Sequence, residues 1–144
     1  MKQKGLITVF LTLILTILVS FVTALAADAQ RYVCRSEAAY AMDCAIRSVF
    51  AEYDRDIYES SGMLVINSSY RSDEGGIDRI RDHFSMYLTE SLTTNELVDV
   101  TVSGTGEEGL DECYTSLSFS ATFTSPVTGD FTITRDYSYD TSDT

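Results

Sequence analysis

From Gly5 to Ala27 the chain reads GLITVFLTLILTILVSFVTALAA, about 23 residues without a single charge. As an α-helix rising ~1.5 Å per residue, such a run reaches across a ~30 Å hydrocarbon core with some tilt. A helix satisfies every backbone N–H and C=O internally, which hydrocarbon demands. Lys2 and Lys4 precede the run and Asp28 follows it, an asymmetry that predicts a cytoplasmic N-terminus and an exported remainder. A cleavable secretory signal competes with this reading. Ala24-Leu25-Ala26 before Ala27 fits the small-residue pattern of signal-peptidase sites, with Ala26 and Ala27 flanking the cut. The apolar run exceeds the ~7 to 15 residues of a signal core, which favours a retained anchor, and both readings export the rest of the chain.

No proline or glycine occurs between Ala26 and Ser61. Ala38, Met42, Ala45, Ile46, Val49, Tyr53 and Ile57 recur at steps of three and four, which mark one face of a helix, while Glu37, Asp43, Arg47 and Glu52 fall on its polar side. The pattern predicts one helix from about Leu6 to Tyr58, so the apolar segment enters the domain without a linker. Gly62 is the expected stop. Met63 to Ile66 is a short apolar run, Asn67 to Gly76 reads as a loop, and Ile77, Ile80, Phe84, Leu88 and Leu92 predict a second amphipathic helix.

From Leu97 the period changes to two. Val98, Val100 and Val102 are expected on one strand face, and Leu117, Phe119, Ala121 and Phe123 on another. Ser125-Pro126-Val127-Thr128-Gly129-Asp130 is a turn cluster leading to Phe131, Ile133 and Tyr137, which predicts a hairpin. The expected fold is α+β: a long N-terminal helix packed on a three-stranded antiparallel sheet, with a second short helix. Residues 1–27 form the cytoplasmic start and membrane helix, and 28–144 form one extracytoplasmic domain.

Charge narrows the function classes. All 22 acidic residues lie at Asp28 or later, against eight arginines, so the part beyond the apolar run carries net −14. A surface of that sign repels phosphate backbones, which excludes nucleic acid as an expected partner. His83 is the only histidine, and the sequence holds no G-x-S-x-G, no phosphate-cradling glycine loop and no H-E-x-x-H. The expectation is a non-enzyme without metal or cofactor. Glu107, Glu108, Asp111 and Glu112 surround glycines but lack the alternating ligands of a calcium loop, so they read as a solvated acidic segment.

Cys34, Cys44 and Cys113 allow one internal disulfide at most. Cys34 and Cys44 lie ten residues apart on one helix, roughly 15 Å, too far to bridge. The partner for either is Cys113; Cys34, nearer the apolar stripe, is the favoured one and Cys44 the alternative. Three reduced thiols are the competing reading. Thr8, Thr12, Thr16, Ser20 and Thr23 form a stripe of small polar residues, suited either to helix contact in a bilayer or to bonding their own helix carbonyls.

Lys4-Gly5-Leu6-Ile7-Thr8-Val9-Phe10-Leu11, the long apolar helix, and then Ser48-Val49-Phe50-Ala51-Glu52-Tyr53-Asp54-Arg55-Asp56-Ile57-Tyr58 resemble the TadE/TadG-like pseudopilins of tight-adherence (Flp-type) pilus systems, in their Gram-positive form. The resemblance covers residues 1 to 66. It implies a pilin-like fold and a minor-pilin or pseudopilin-like structural subunit of a pilus or its assembly machinery in the bacterial cell envelope. Its partners would be the membrane and other pilin or assembly subunits, copies of itself included, met through the N-terminal helix. Prepilin-type processing would fall between Gly5 and Leu6, where Phe10 then occupies the position at which that processing expects glutamate. The alternative function is an extracellular ligand-binding module, secreted after signal cleavage or anchored.

Overall fold

The computed structural model describes residues 2–51, 76–106 and 114–138. Helix α1 spans Lys2–Phe50, 49 residues and therefore about 73 Å long. It begins four residues before the expected Leu6; the expected stretch beyond Phe50 to Tyr58 lies outside the described residues, apart from Ala51, whose N–H still bonds to the Arg47 carbonyl at 3.0 Å. The helix passes through Ala27 and Asp28 without a break. Gly62, the Met63 to Ile66 run and the expected loop from Asn67 up to, but not including, Gly76 also fall outside.

Helix α2 is Ile77–Ser91, and its buried face is Ile80, Phe84 and Leu88. Strands β1 (Glu96–Gly106), β2 (Tyr114–Ser125) and β3 (Gly129–Ser138) form one antiparallel sheet in the order β1-β2-β3. The β2–β3 hairpin closes through Pro126, Val127 and Thr128. Gly129 takes φ 69°, a left-handed conformation that costs glycine little. The Ser125 hydroxyl accepts the Val127 N–H at 3.3 Å, a side-chain-closed turn.

One core unites these elements. Ala38, Ala41, Met42, Ala45, Ile46 and Val49 of α1 pack with Phe84 and Leu88 of α2 and with Phe119, Ala121 and Phe123 of β2. The alanines leave room for bulky partners, and the Phe84 and Phe119 rings meet with centroids 5.0 Å apart. The far face of the sheet is hydroxyl-rich: Ser120 pairs with Thr134 at 3.2 Å, Thr122 with Thr132 at 2.9 Å, and the Ser118 hydroxyl donates to Asp136. This solvated face needs no cover.

The β1 expectation requires a correction. Its register with β2 shifts between Leu97 and Asp99. Leu97 pairs with Phe123, Val100 with Ala121 and Val102 with Phe119, so the core face is Leu97, Val100 and Val102, and Val98 is left 57% exposed. A bulge inserts one residue, which switches the parity of the pleat; strict alternation cannot foresee it.

Gly104 follows on this inner face, opposite Leu117. A Cβ there would lie 2.7 Å from a Tyr114 ring carbon, 2.9 Å from Ile77 Cδ1 and 3.0 Å from Leu117 Cδ2. Close approach of α2 to β1 therefore depends on the missing side chain. Gly104→Ala should destabilise the domain by about 1–3 kcal/mol, read as a lowered denaturation midpoint with an unchanged slope.

Candidate functional site

The candidate site is the apolar half of α1 together with its junction to the domain. Every large apolar side chain from Leu6 to Leu25 is exposed, Leu6 at 73% and Phe21 at 64%. Within the helix an 18-residue window has mean hydropathy 2.6, and none of it is buried. Leaving that surface in water would cost on the order of 20 kcal/mol, so the segment requires an apolar medium. It is long and apolar enough to cross a membrane.

The hydroxyl stripe satisfies itself. Thr8 donates to the Lys4 carbonyl at 2.9 Å, Thr12 to Thr8, Thr16 to Thr12 and Ser20 to Thr16 at 2.8 Å each, and Thr23 to Val19 at 2.7 Å. Each hydroxyl proton is thus held within the helix, the second of the two arrangements expected. Thr8, Thr12 and Thr16 together with Val9, Leu13 and Ile17 line a shallow apolar groove along the helix. Gly5 and Leu6 are exposed within α1, and Ala26 and Ala27 lie inside the same unbroken helix.

Beyond Ala27, residues 28–33 are exposed, and the first buried residue is Cys34. Here a polar latch ties the helix to the turn between α2 and β1. The Glu37 carboxylate accepts the Thr93 N–H at 2.7 Å, the Thr94 N–H at 2.9 Å and the Asn95 side-chain amide at 3.1 Å. Asn95 is buried, and its Nδ2 also donates to the Cys34 carbonyl at 2.8 Å. Two acceptors around one nitrogen fix the orientation of that amide. Partial desolvation pushes the Glu37 carboxyl up, but the Thr94 and Thr93 N–H groups outweigh it and leave its pKa below the usual value.

Sequence reasoning put Glu37 and Asp43 on the solvent side of α1, and both have partners instead. Asp43 accepts from Arg135 of β3 at 3.3 Å, half-exposed, and Arg35 lies 5.8 Å from the centre of the Phe131 ring. No local signal in the sequence marks these pairs, because the partners lie more than fifty residues away. His83 is half-buried on α2, edge-on to Tyr87 with centroids 6.4 Å apart.

Neither Cys34 nor Cys44 is disulfide-bonded. The buried Cys34 Sγ accepts a 3.5 Å hydrogen bond from Ser125 at the C-terminal end of β2. The expected partner Cys113 and the acidic residues Glu107, Glu108, Asp111 and Glu112 lie outside the described residues. Among the described residues no group of three or more His, Cys, Asp or Glu is arranged to hold a metal ion.

No family model, curated protein or solved structure matches this chain.

The latch generates a pH prediction. A pKa lowered by folding means that the fold prefers ionised Glu37. Its contribution is full above the unfolded carboxyl pKa and is lost as pH falls through the lower folded value. The stability gap between the parent and Glu37→Gln should therefore narrow on acidification below the ordinary carboxylate range. Glu37→Ala, which removes the acceptor for the solvent-accessible Thr93 and Thr94 N–H groups and one of two for the Asn95 amide, should cost about 0.5–1.5 kcal/mol at neutral pH, measured by chemical denaturation.

Proposed function

We propose that this chain is a membrane-anchored structural subunit, a minor pilin or pseudopilin-like component of a tight-adherence (Flp-type) pilus or its assembly machinery. Its N-terminus lies in the cytoplasm and its α+β domain outside the cell membrane. The observation that carries the reading is the continuity of α1: the exposed apolar surface from Leu6 to Leu25 and the core face from Ala38 to Val49 belong to one helix. A tethered enzyme or receptor needs only a flexible stalk between anchor and domain, whereas a subunit that transmits its position to neighbours gains from a stiff one. Lys2 and Lys4 before the segment support the orientation. The resemblance of residues 1 to 66 to TadE/TadG-like proteins supplies the class of assembly.

In an assembly of this kind α1 packs against apolar helices of other subunits, copies of itself included. The groove along Thr8, Thr12 and Thr16 is the surface on which lateral contact would rest, and with the hydroxyl protons held internally the contact is one of shape.

Mass spectrometry of the native protein should find a mature N-terminus at Met1 or Leu6, in a fraction that stays with membranes after an alkaline wash. A start at Ala27 in a soluble fraction would favour the secreted binding module and sink the structural-subunit reading. Filling the groove with Thr12→Leu and Thr16→Leu should reduce cross-linked assemblies in membranes without releasing the protein. Unchanged assembly would remove the groove from the contact.

A further inference from the structure

Because α1 continues into the domain, it also fixes which end of the domain faces the membrane. Contacts along the helix set the direction. Cys34 meets Ser125 and Asn95, Glu37 meets Thr93 and Thr94, and Phe50, sixteen residues on, meets Phe119 and Tyr137. Strand β2 therefore runs antiparallel to α1, and the β2–β3 turn points back toward the apolar segment. The turn between α2 and β1 lies at the same end.

The distances are short. Cys34 is seven residues beyond Ala27, about 10 Å along the helix axis. The headgroup layer outside the hydrocarbon is itself about 5–8 Å thick. Pro126, Val127 and Thr128 project past Ser125, which is level with Cys34, so the hairpin tip reaches down to the headgroups.

Charge gives a second and independent argument. In a domain of strongly negative charge, Leu92-Thr93-Thr94-Asn95 and Ser125-Pro126-Val127-Thr128-Gly129 contain no ionisable side chain. Acidic residues resume directly after each, at Glu96 and Asp130. The β2–β3 turn therefore brings no carboxylate to anionic lipid, and the α2–β1 turn brings only that of Glu37, whose charge is partly offset by the Thr93 and Thr94 N–H groups it accepts. Pro126 and Val127 are also exposed, with Val127 at 36%.

We propose that these two turns, neither of which has an ionisable side chain of its own, rest on the lipid headgroup surface, so that the domain is seated on the bilayer in a fixed orientation instead of being held clear of it. The proposal rests on α1 being inserted in a membrane, and it holds for either leaflet.

The chain has no tryptophan, so one introduced indole reports a single position. Full-length Val127→Trp, Thr94→Trp, Ser103→Trp and Leu15→Trp would each be reconstituted in phosphatidylcholine–phosphatidylglycerol vesicles, with a nitroxide either on the headgroup or midway along the acyl chain. All four positions are exposed, and the two turns are probed by separate variants. Leu15→Trp should lose its fluorescence to the acyl-chain nitroxide. Val127→Trp and Thr94→Trp should lose theirs to the headgroup nitroxide, and Ser103→Trp, about 20 Å or more up the sheet, should keep its own. Val127→Trp and Thr94→Trp as unquenched as Ser103→Trp, with Leu15→Trp still quenched, overturns the seating while leaving the anchor intact. An unquenched Leu15→Trp overturns the anchor and the seating with it.

Discussion

A helix in hydrocarbon must keep every peptide group paired, and on reaching water it must still be capped or continued. In this chain it continues. Nothing between Gly5 and Phe50 interrupts the i→i+4 ladder, and the only change at Ala27 is in the side chains. The polypeptide exchanges an apolar surface suited to lipid for an amphipathic one suited to a protein core. The position of the sheet, the direction of the hairpin and the level of the α2–β1 turn all follow from that one axis.

Core packing explains why the junction is firm. Alanines at 38, 41 and 45 bring the α1 backbone close to its neighbours, and Met42, Ile46 and Val49 fill the spaces between the aromatic rings of α2 and β2. Glu37 then fastens the turn after α2 to the first turns of the buried helix, taking two backbone N–H groups that have no helical partner. At the other flank Arg135 reaches Asp43 and ties β3 to α1. Apolar burial supplies the attraction, while these polar links fix rotation about the helix axis, which a smooth apolar stripe constrains poorly.

The remainder of the surface is built to stay solvated. The outer sheet face presents hydroxyl pairs and acids with no basic residue, and the described acidic side chains are mostly exposed. Such a surface resists edge-to-edge pairing by charge, aided on β1 by the bulge that turns Val98 outward. The α2–β1 and β2–β3 turns are the exception, with no ionisable side chain of their own.

By itself the sequence determined the long apolar segment, the amphipathic continuation of α1, the buried face of α2 and the β2–β3 hairpin, since each depends on composition, periodicity or turn chemistry within a few residues. Tertiary structure decided the rest. Val98 looks like a core residue until pairing with β2 places a bulge beside it. Glu37 and Asp43 look solvated until a turn and a strand, more than fifty residues away, come to them. Cys34 shows only as a residue near the apolar stripe until the fold sets its thiol against the Ser125 hydroxyl, 91 residues away. Local pattern records which side of an element is apolar. Which distant groups meet there depends on register and on the relative placement of whole elements, which no short window of sequence encodes.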